Sequence, residues 1–223
     1  MSPAIGYPKV FDSRIDAARQ LARALARYRG SSPLILAIPR GAVPIGRVIA
    51  DELQGELDVV LVRKLGAPFS PEFAIGSVDE TGWAYVSEDA APAGADARYL
   101  EEEKGRQLET LRRRRALYTP GRAPIEIEGR TVIVVDDGLA TGATMIAALH
   151  AARAKRPRLL VCAVPVAAPD SLERVRTYAD EIVCLEAPAG FHAVGQFYRD
   201  FDQVDDETVI ALLSDAGGSG STS

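Results

Sequence analysis

Between Thr131 and Leu185 short apolar runs alternate with segments of helical period, and this alternation limits the fold more than any other feature of the chain. Thr131–Val135, Leu159–Val164 and Ile182–Leu185 are short and almost continuously apolar, so they read as strands buried on both faces. Gly142–Ala154 and Pro169–Tyr178 read as the helices between them. Strands alternating with helices imply right-handed crossovers. The pattern therefore predicts an α/β fold, a mostly parallel central sheet with helices on both faces. The first half adds a helix over Asp12–Tyr28, opened by Ser13 and stopped at Gly30, a strand at Leu34–Ile38, and a helix to Leu53 with Pro44 in its first turn. A second buried strand is expected at Leu57–Val62. Phe73–Val78 and Trp83–Ser87, separated by Asp79-Glu80-Thr81-Gly82, predict a β-hairpin. A charged helix spans about Arg98–Leu117, and a short one Asp205–Leu213. Residues 1–213 are expected to form one domain and 214–223, rich in Gly and Ser, a flexible tail.

Composition excludes several classes of function. Lys plus Arg is 26 against 31 for Asp plus Glu, a formal charge of −5, which argues against a general nucleic-acid or membrane-surface binder. The two cysteines, Cys162 and Cys184, belong to no CxxC pair, so neither a disulfide framework nor a Cys-rich zinc site is expected. No apolar run approaches a membrane span and no signal-peptide pattern opens the chain, so a cytoplasmic location is expected. Neither GxxxxGK[ST] nor GxGxxG occurs.

In an open parallel sheet the ligand lies beyond the carboxyl ends of the strands, and three loops expected at that edge carry chemistry. In the first, a buried strand ends in Asp136 and Asp137, and Gly138, Leu139, Ala140, Thr141, Gly142, Ala143 and Thr144 lead into a helix. Such a loop can aim backbone N–H groups, hydroxyls and a helix N-terminus at a phosphate. The two carboxylates would repel that phosphate, so they must face sugar hydroxyls or a cation. A phosphate and a diol a few ångströms apart describe a ribose 5-phosphate. The second loop holds Arg40 and Gly41: a planar fork for phosphate oxygens and a residue that permits close approach. The third is Arg63-Lys64, expected at the end of the Leu57–Val62 strand. The two basic loops together could neutralise a diphosphate.

Val134–Thr144 resembles the phosphoribosyl diphosphate motif of the type I phosphoribosyltransferases. Pro39-Arg40-Gly41 is similar to their diphosphate loop, and Arg63-Lys64 to the basic pair after their second strand. The resemblance covers roughly residues 10–200. It implies a flexible hairpin that closes over the site, with Phe73–Ser87 the candidate, and a small hood that binds the accepting base. It also implies a pentosyltransferase acting on phosphoribosyl diphosphate and an unidentified acceptor, with Mg²⁺ carried mainly by the substrate and no dedicated protein ligands. By position, Asp136 and Asp137 would hold the ribose hydroxyls, and Ala140, Thr141, Gly142 and Thr144 the 5-phosphate. Arg40, Gly41, Arg63 and Lys64 would serve the diphosphate. Hypoxanthine and guanine enzymes usually carry Asp where this chain has Ala140, orotate enzymes read differently there, and Ala-Thr-Gly locally resembles adenine enzymes. The whole pattern resembles a group of bacterial phosphoribosyltransferase-like proteins without an assigned acceptor. The oligomeric state is left open.

Phe191 and His192 lie after the final strand, where a hood contact to the acceptor is expected. Phe191, Tyr198 and Phe201 suit either an aromatic wall or core packing. His150, two turns into the helix after the phosphate loop, reads as structural. Glu72 and Glu80 fit either a carboxylate near the site or hairpin solubility. Arg112–Arg115 reads as a solvated helix face with internal charge pairs. A non-catalytic sensor of phosphoribosyl diphosphate is the rival class, but no basic surface or extra domain points to it. A phosphoribosyl diphosphate synthetase lacks evident ATP-binding parts.

Overall fold

Two β-sheets share one helix in the computed structural model, which describes residues 10–214 except Pro124. The larger is a five-stranded parallel sheet in the order β2-β1-β6-β7-β8. It comprises β1 (Leu34–Ala37), β2 (Glu56–Val59), β6 (Thr131–Val135), β7 (Leu159–Val166) and β8 (Glu181–Glu186). Its neighbours are in register across the middle, with Ala37 beside both Val59 and Val135, and Val135 beside Ala163. Strand alternation divides its apolar side chains between two cores. Ile35, Ala37, Leu57, Ile133, Val135 and Val161 pack with α1 (Arg14–Ala24) and α2 (Ala42–Leu53). Leu34, Leu36, Val132, Val134, Leu160 and Cys162 pack with α4 (Ala143–Arg153) on the other face.

Local signals place the helix ends. The Ser13 hydroxyl accepts the Asp16 N–H at 3.3 Å and opens α1. The Asp96 carboxylate accepts the Tyr99 N–H at 2.8 Å and opens α3 (Ala97–Tyr118). Gly30, with φ of 77°, ends the turn that follows α1. The helices α5 (Pro169–Val175) and α6 (Asp206–Ser214) complete the chain. Ser214 thus belongs to a helix, and the expected tail beyond it lies outside the described residues. No helix among the described residues is long and apolar enough to cross a membrane.

One expected strand is two. The run Leu57–Val62 breaks at Val60-Leu61: β2 ends at Val59, and β3 (Val62–Ala67) starts a second, antiparallel sheet with β4 (Ser70–Asp79) and β5 (Ala84–Val86). Arg63 and Lys64 therefore lie inside β3, not in a loop beyond the parallel sheet. The apolar run is continuous because Val60 and Leu61 are buried through the change of sheet.

The expected hairpin is present as β4–β5, and its base is docked on α4. The Ser77 hydroxyl donates to the Ala143 carbonyl at 2.6 Å. Asp79, fully buried, accepts N–H bonds from Thr81 at 2.8 Å and Trp83 at 3.2 Å. The Trp83 ring stacks on His150 of α4 at 3.6 Å and 9°, and His150 Nδ1 lies 3.4 Å from Asp79 Oδ2. His150 has the structural setting expected of it. The exposed end of this sheet is the β3–β4 turn, where Phe69 is 93% exposed.

Candidate phosphate and ribose site

β6 ends at Val135 and α4 begins at Ala143, so Asp136–Gly142 form a loop between a buried strand and a helix N-terminus. The loop is fixed from behind. Leu139 donates its N–H to Val166 O at 2.9 Å, and its carbonyl accepts from Ala168 at 2.9 Å. The Ser171 hydroxyl donates to Ala140 O at 2.6 Å. Gly142, with φ of 78°, turns the chain into α4 where an L side chain would be strained. A Cβ at Gly138 would come within 2.7 Å of Val194, so the loop lies hard against the segment after β8.

Part of the loop backbone is left unsatisfied. Among the described residues, the N–H groups of Gly138, Ala140, Thr141 and Gly142 find no acceptor. The Thr141 hydroxyl accepts the Ala143 N–H at 3.4 Å, which places it inside the loop. A cavity of about 110 Å³ is lined by Asp136, Gly138 to Gly142, Thr144 and Met145. Unpaired N–H groups, two threonines and the positive end of α4 make this an anion cradle.

The two aspartates are held differently. Asp136 Oδ1 accepts the Asp137 N–H at 2.9 Å. Asp137 Oδ2 accepts from Arg14 Nε at 3.0 Å and Nη2 at 2.9 Å. Arg14 is fixed in turn, its guanidinium 3.8 Å from the Phe201 ring centre and its Nη1 donating to Asp202 O at 2.6 Å. The Tyr198 hydroxyl donates to Asp137 O at 2.7 Å. A Cβ at Gly41 would lie 2.2 Å from Asp137 Oδ2, so this position leaves room for the ion pair. Each aspartate thus keeps one oxygen, Asp136 Oδ2 and Asp137 Oδ1, with no donor among the described residues. Burial, reinforced by the charge of Asp137, pushes the Asp136 carboxyl well above the usual range. Burial also raises Asp137, and Arg14 opposes that rise.

The basic residues are only partly gathered. Arg40 Nη1 lies 3.8 Å from Asp206 Oδ1, which also accepts the Tyr118 hydroxyl. Arg63 donates from Nε to Gln107 Oε1 at 2.9 Å. Arg40 and Arg63 both lie close enough to Tyr118 to interact with it, whose hydroxyl burial and Asp206 raise to about 12. Burial lowers Arg63, and the neighbouring Arg114 adds to this. Lys64, the next residue along β3, points to the opposite face and pairs with Glu72 at 2.8 Å. Lys64 stands opposite Ser77, whose hydroxyl reaches Ala143, so it shares the phosphate-loop side of this sheet. Glu80 pairs with Arg115 instead of entering the loop cavity. Phe191 tilts against Phe197 at 5.3 Å, while His192 is exposed and its N–H donates to Gln196 Oε1 at 3.1 Å. Tyr198 and Phe201 serve the Asp137–Arg14 pair and a small core with Phe11. Sequence reading missed Arg14, which is 123 residues from Asp137 and looks like any polar residue of an amphipathic helix.

The α/β architecture, with a loop of unpaired N–H groups between its third-placed strand and the next helix, is joined by a family match. The phosphoribosyl transferase domain family matches residues 8–202, and the chain belongs to that family. Two Mycobacterium tuberculosis proteins, from strains CDC 1551 and H37Rv, are each 45% identical over 209 residues and carry provisional phosphoribosyl transferase names. The match covers 93% of this chain and 47% of each relative, so the chain spans about half the length of the curated relatives it matches. The crystal structure of TT1426 from Thermus thermophilus is 46% identical, with a TM-score of 0.77, over 92% of this chain and 98% of that one.

Proposed function

We propose that the chain transfers ribose 5-phosphate from phosphoribosyl diphosphate to a nitrogen nucleophile and releases diphosphate. The observation that carries this reading is the pairing of an unsatisfied N–H loop with two carboxylate oxygens that have no internal donor. Gly138 to Thr144 take the 5-phosphate. Asp136 Oδ2 and Asp137 Oδ1 accept the two ribose hydroxyls, one each. In the reaction the C1–O bond to diphosphate breaks with its electron pair, a C1–N bond forms, and the nitrogen's proton leaves to solvent. Positive charge developing at C1 is tolerated beside carboxylates, and Lys64, on the phosphate-loop side of its sheet, opposes the charge growing on the diphosphate, whereas Arg63 faces the other side of β3.

Mg²⁺ fits this donor set as an ion delivered by its phosphate ligand. With Asp136 Oδ2 and Asp137 Oδ1 engaged by the ribose hydroxyls, the ion would take its oxygens mainly from the diphosphate and the sugar. When bound, the ion would neutralise diphosphate charge. The acceptor would lie between the phosphate loop and the segment holding Phe191 and His192. The protein is read as cytoplasmic, with small-molecule partners and no nucleic acid.

The test is diphosphate release from phosphoribosyl diphosphate across a panel of nucleobases and amines. One acceptor is expected to support turnover that Asp136→Asn impairs. Thr141→Ala should weaken ribose 5-phosphate binding by about 1.5–3 kcal/mol, the range for hydrogen bonds to charged groups. Unchanged affinity in that variant would overturn the assignment of the loop.

A further inference from the structure

A cavity of about 460 Å³ lies away from the phosphate loop, among α3, the β4–β5 turn and the residues after α4. It shares no lining residue with the loop cavity. Lys155 on its rim follows the C-terminal end of α4, whose N-terminal end carries the phosphate loop, and an eleven-residue helix is about 16 Å long. The volume falls within the roughly 300–1,000 Å³ of small-molecule sites.

Its walls divide by chemistry. Leu108 and Leu111 supply an apolar surface, and Arg112, Arg115, Arg122 and Lys155 supply positive charge. Two carboxylates reach these cations. Arg115 donates to Glu80 at 2.9 Å and lies 3.8 Å from Asp58, and Arg122 donates to Asp58 at 2.7 Å. Arg112 and Lys155 have no carboxylate partner among the described residues. Arg122 Nε is buried without an acceptor. Four cations against two carboxylates leave two positive charges uncompensated in a chain whose net charge is −5. Arg112 and Arg113 are exposed, as expected of a solvated face, and Arg112 and Arg115 also line this cavity.

We propose that this cavity is a second ligand site, for a phosphomonoester with an apolar or aromatic body, the chemistry of a nucleoside monophosphate. The phosphate lies between Arg112 and Lys155, and the body lies on Leu108 and Leu111. The occupant also touches Thr81, whose turn holds Asp79 and Trp83 against α4.

Calorimetry of the full chain with adenosine 5′-monophosphate tests this. Two molecules bound per chain are expected, one at each site. Arg112→Ala combined with Lys155→Ala should remove one event and leave the other within about twofold, whereas Thr141→Ala should weaken only that other event. If that double variant fails to fold by circular dichroism, Arg112→Gln with Lys155→Gln carries the same expectation. A single event lost in the double variant and indifferent to Thr141→Ala would sustain this site and count against the phosphate loop. Binding untouched by the double variant, or no binding, overturns the proposal. Adenosine and inorganic phosphate should each bind there at least about tenfold more weakly than the nucleotide. Parity of either with the nucleotide would overturn the assigned ligand class.

Discussion

Asp136 and Asp137 are adjacent in sequence, yet their neighbours give them different duties. For Asp136 the Asp137 N–H and the charge of Arg14 do not offset burial and the adjacent carboxylate, so its carboxyl keeps its proton to higher pH in the folded chain than in the unfolded one. Between the unfolded aspartate value, about 3.9, and the raised one, the native state binds more protons, so stability falls as pH rises through that window. Asp136→Asn should therefore raise the ligand-free melting temperature at neutral pH and leave it unchanged below about pH 4. Calorimetric scans at several pH values check this, and a variant less stable than the parent at neutral pH would contradict it. Asp137 depends on Arg14 instead. Arg14→Ala leaves a crowded carboxylate without its donors and should cost about 1–3 kcal/mol by denaturant unfolding. Asp137→Asn should cost less in the Arg14→Ala background than in the parent, because the pair acts as one unit.

The strand β6, its loop and α4 were legible in sequence because every signal for them is local: a threonine and four apolar residues, two acids, small residues, then a helix. Arg63-Lys64 was misplaced because the chain changes sheets at Val60-Leu61 without a glycine or proline to mark the break. The Arg14–Asp137 pair was invisible for the opposite reason: only the folded topology joins those positions. The docking of β4–β5 on α4 likewise depends on Trp83 and His150 meeting although they are far apart in the chain, and single-residue patterns do not report that. This contact belongs to the element as a whole. Trp83→Ala should cost about 0.5–1.5 kcal/mol for the stack beyond its area burial. It should also increase amide exchange in α4 while leaving β7 unaffected. Unchanged protection in α4 would mean that the hairpin does not brace the helix.

At the scale of the molecule, α4 is the joint between the sheets. It packs on β6 and β7 with one side and on β3, β4 and β5 with another. Ile146, 1% exposed, lies in the core that it shares with the parallel sheet. Ile146→Ala should therefore cost about 2–5 kcal/mol, by lost burial and the cavity left behind. Because both sheets depend on the helix, the loss should appear as one transition shifted to lower temperature, not as two that separate. Separate transitions in calorimetry would show that the antiparallel sheet melts alone.

Trp83 is the sole tryptophan of the chain, and it lies face to face with an imidazole. An excited indole is sensitive to a ring stacked against its face, so the emission of this protein should register how closely its partner ring approaches. The molecule thus carries a built-in optical gauge on the helix that the Asp136–Gly142 loop leads into. Binding at the two proposed sites, one near each end of that helix, should be readable by light, with no dye attached and no residue replaced.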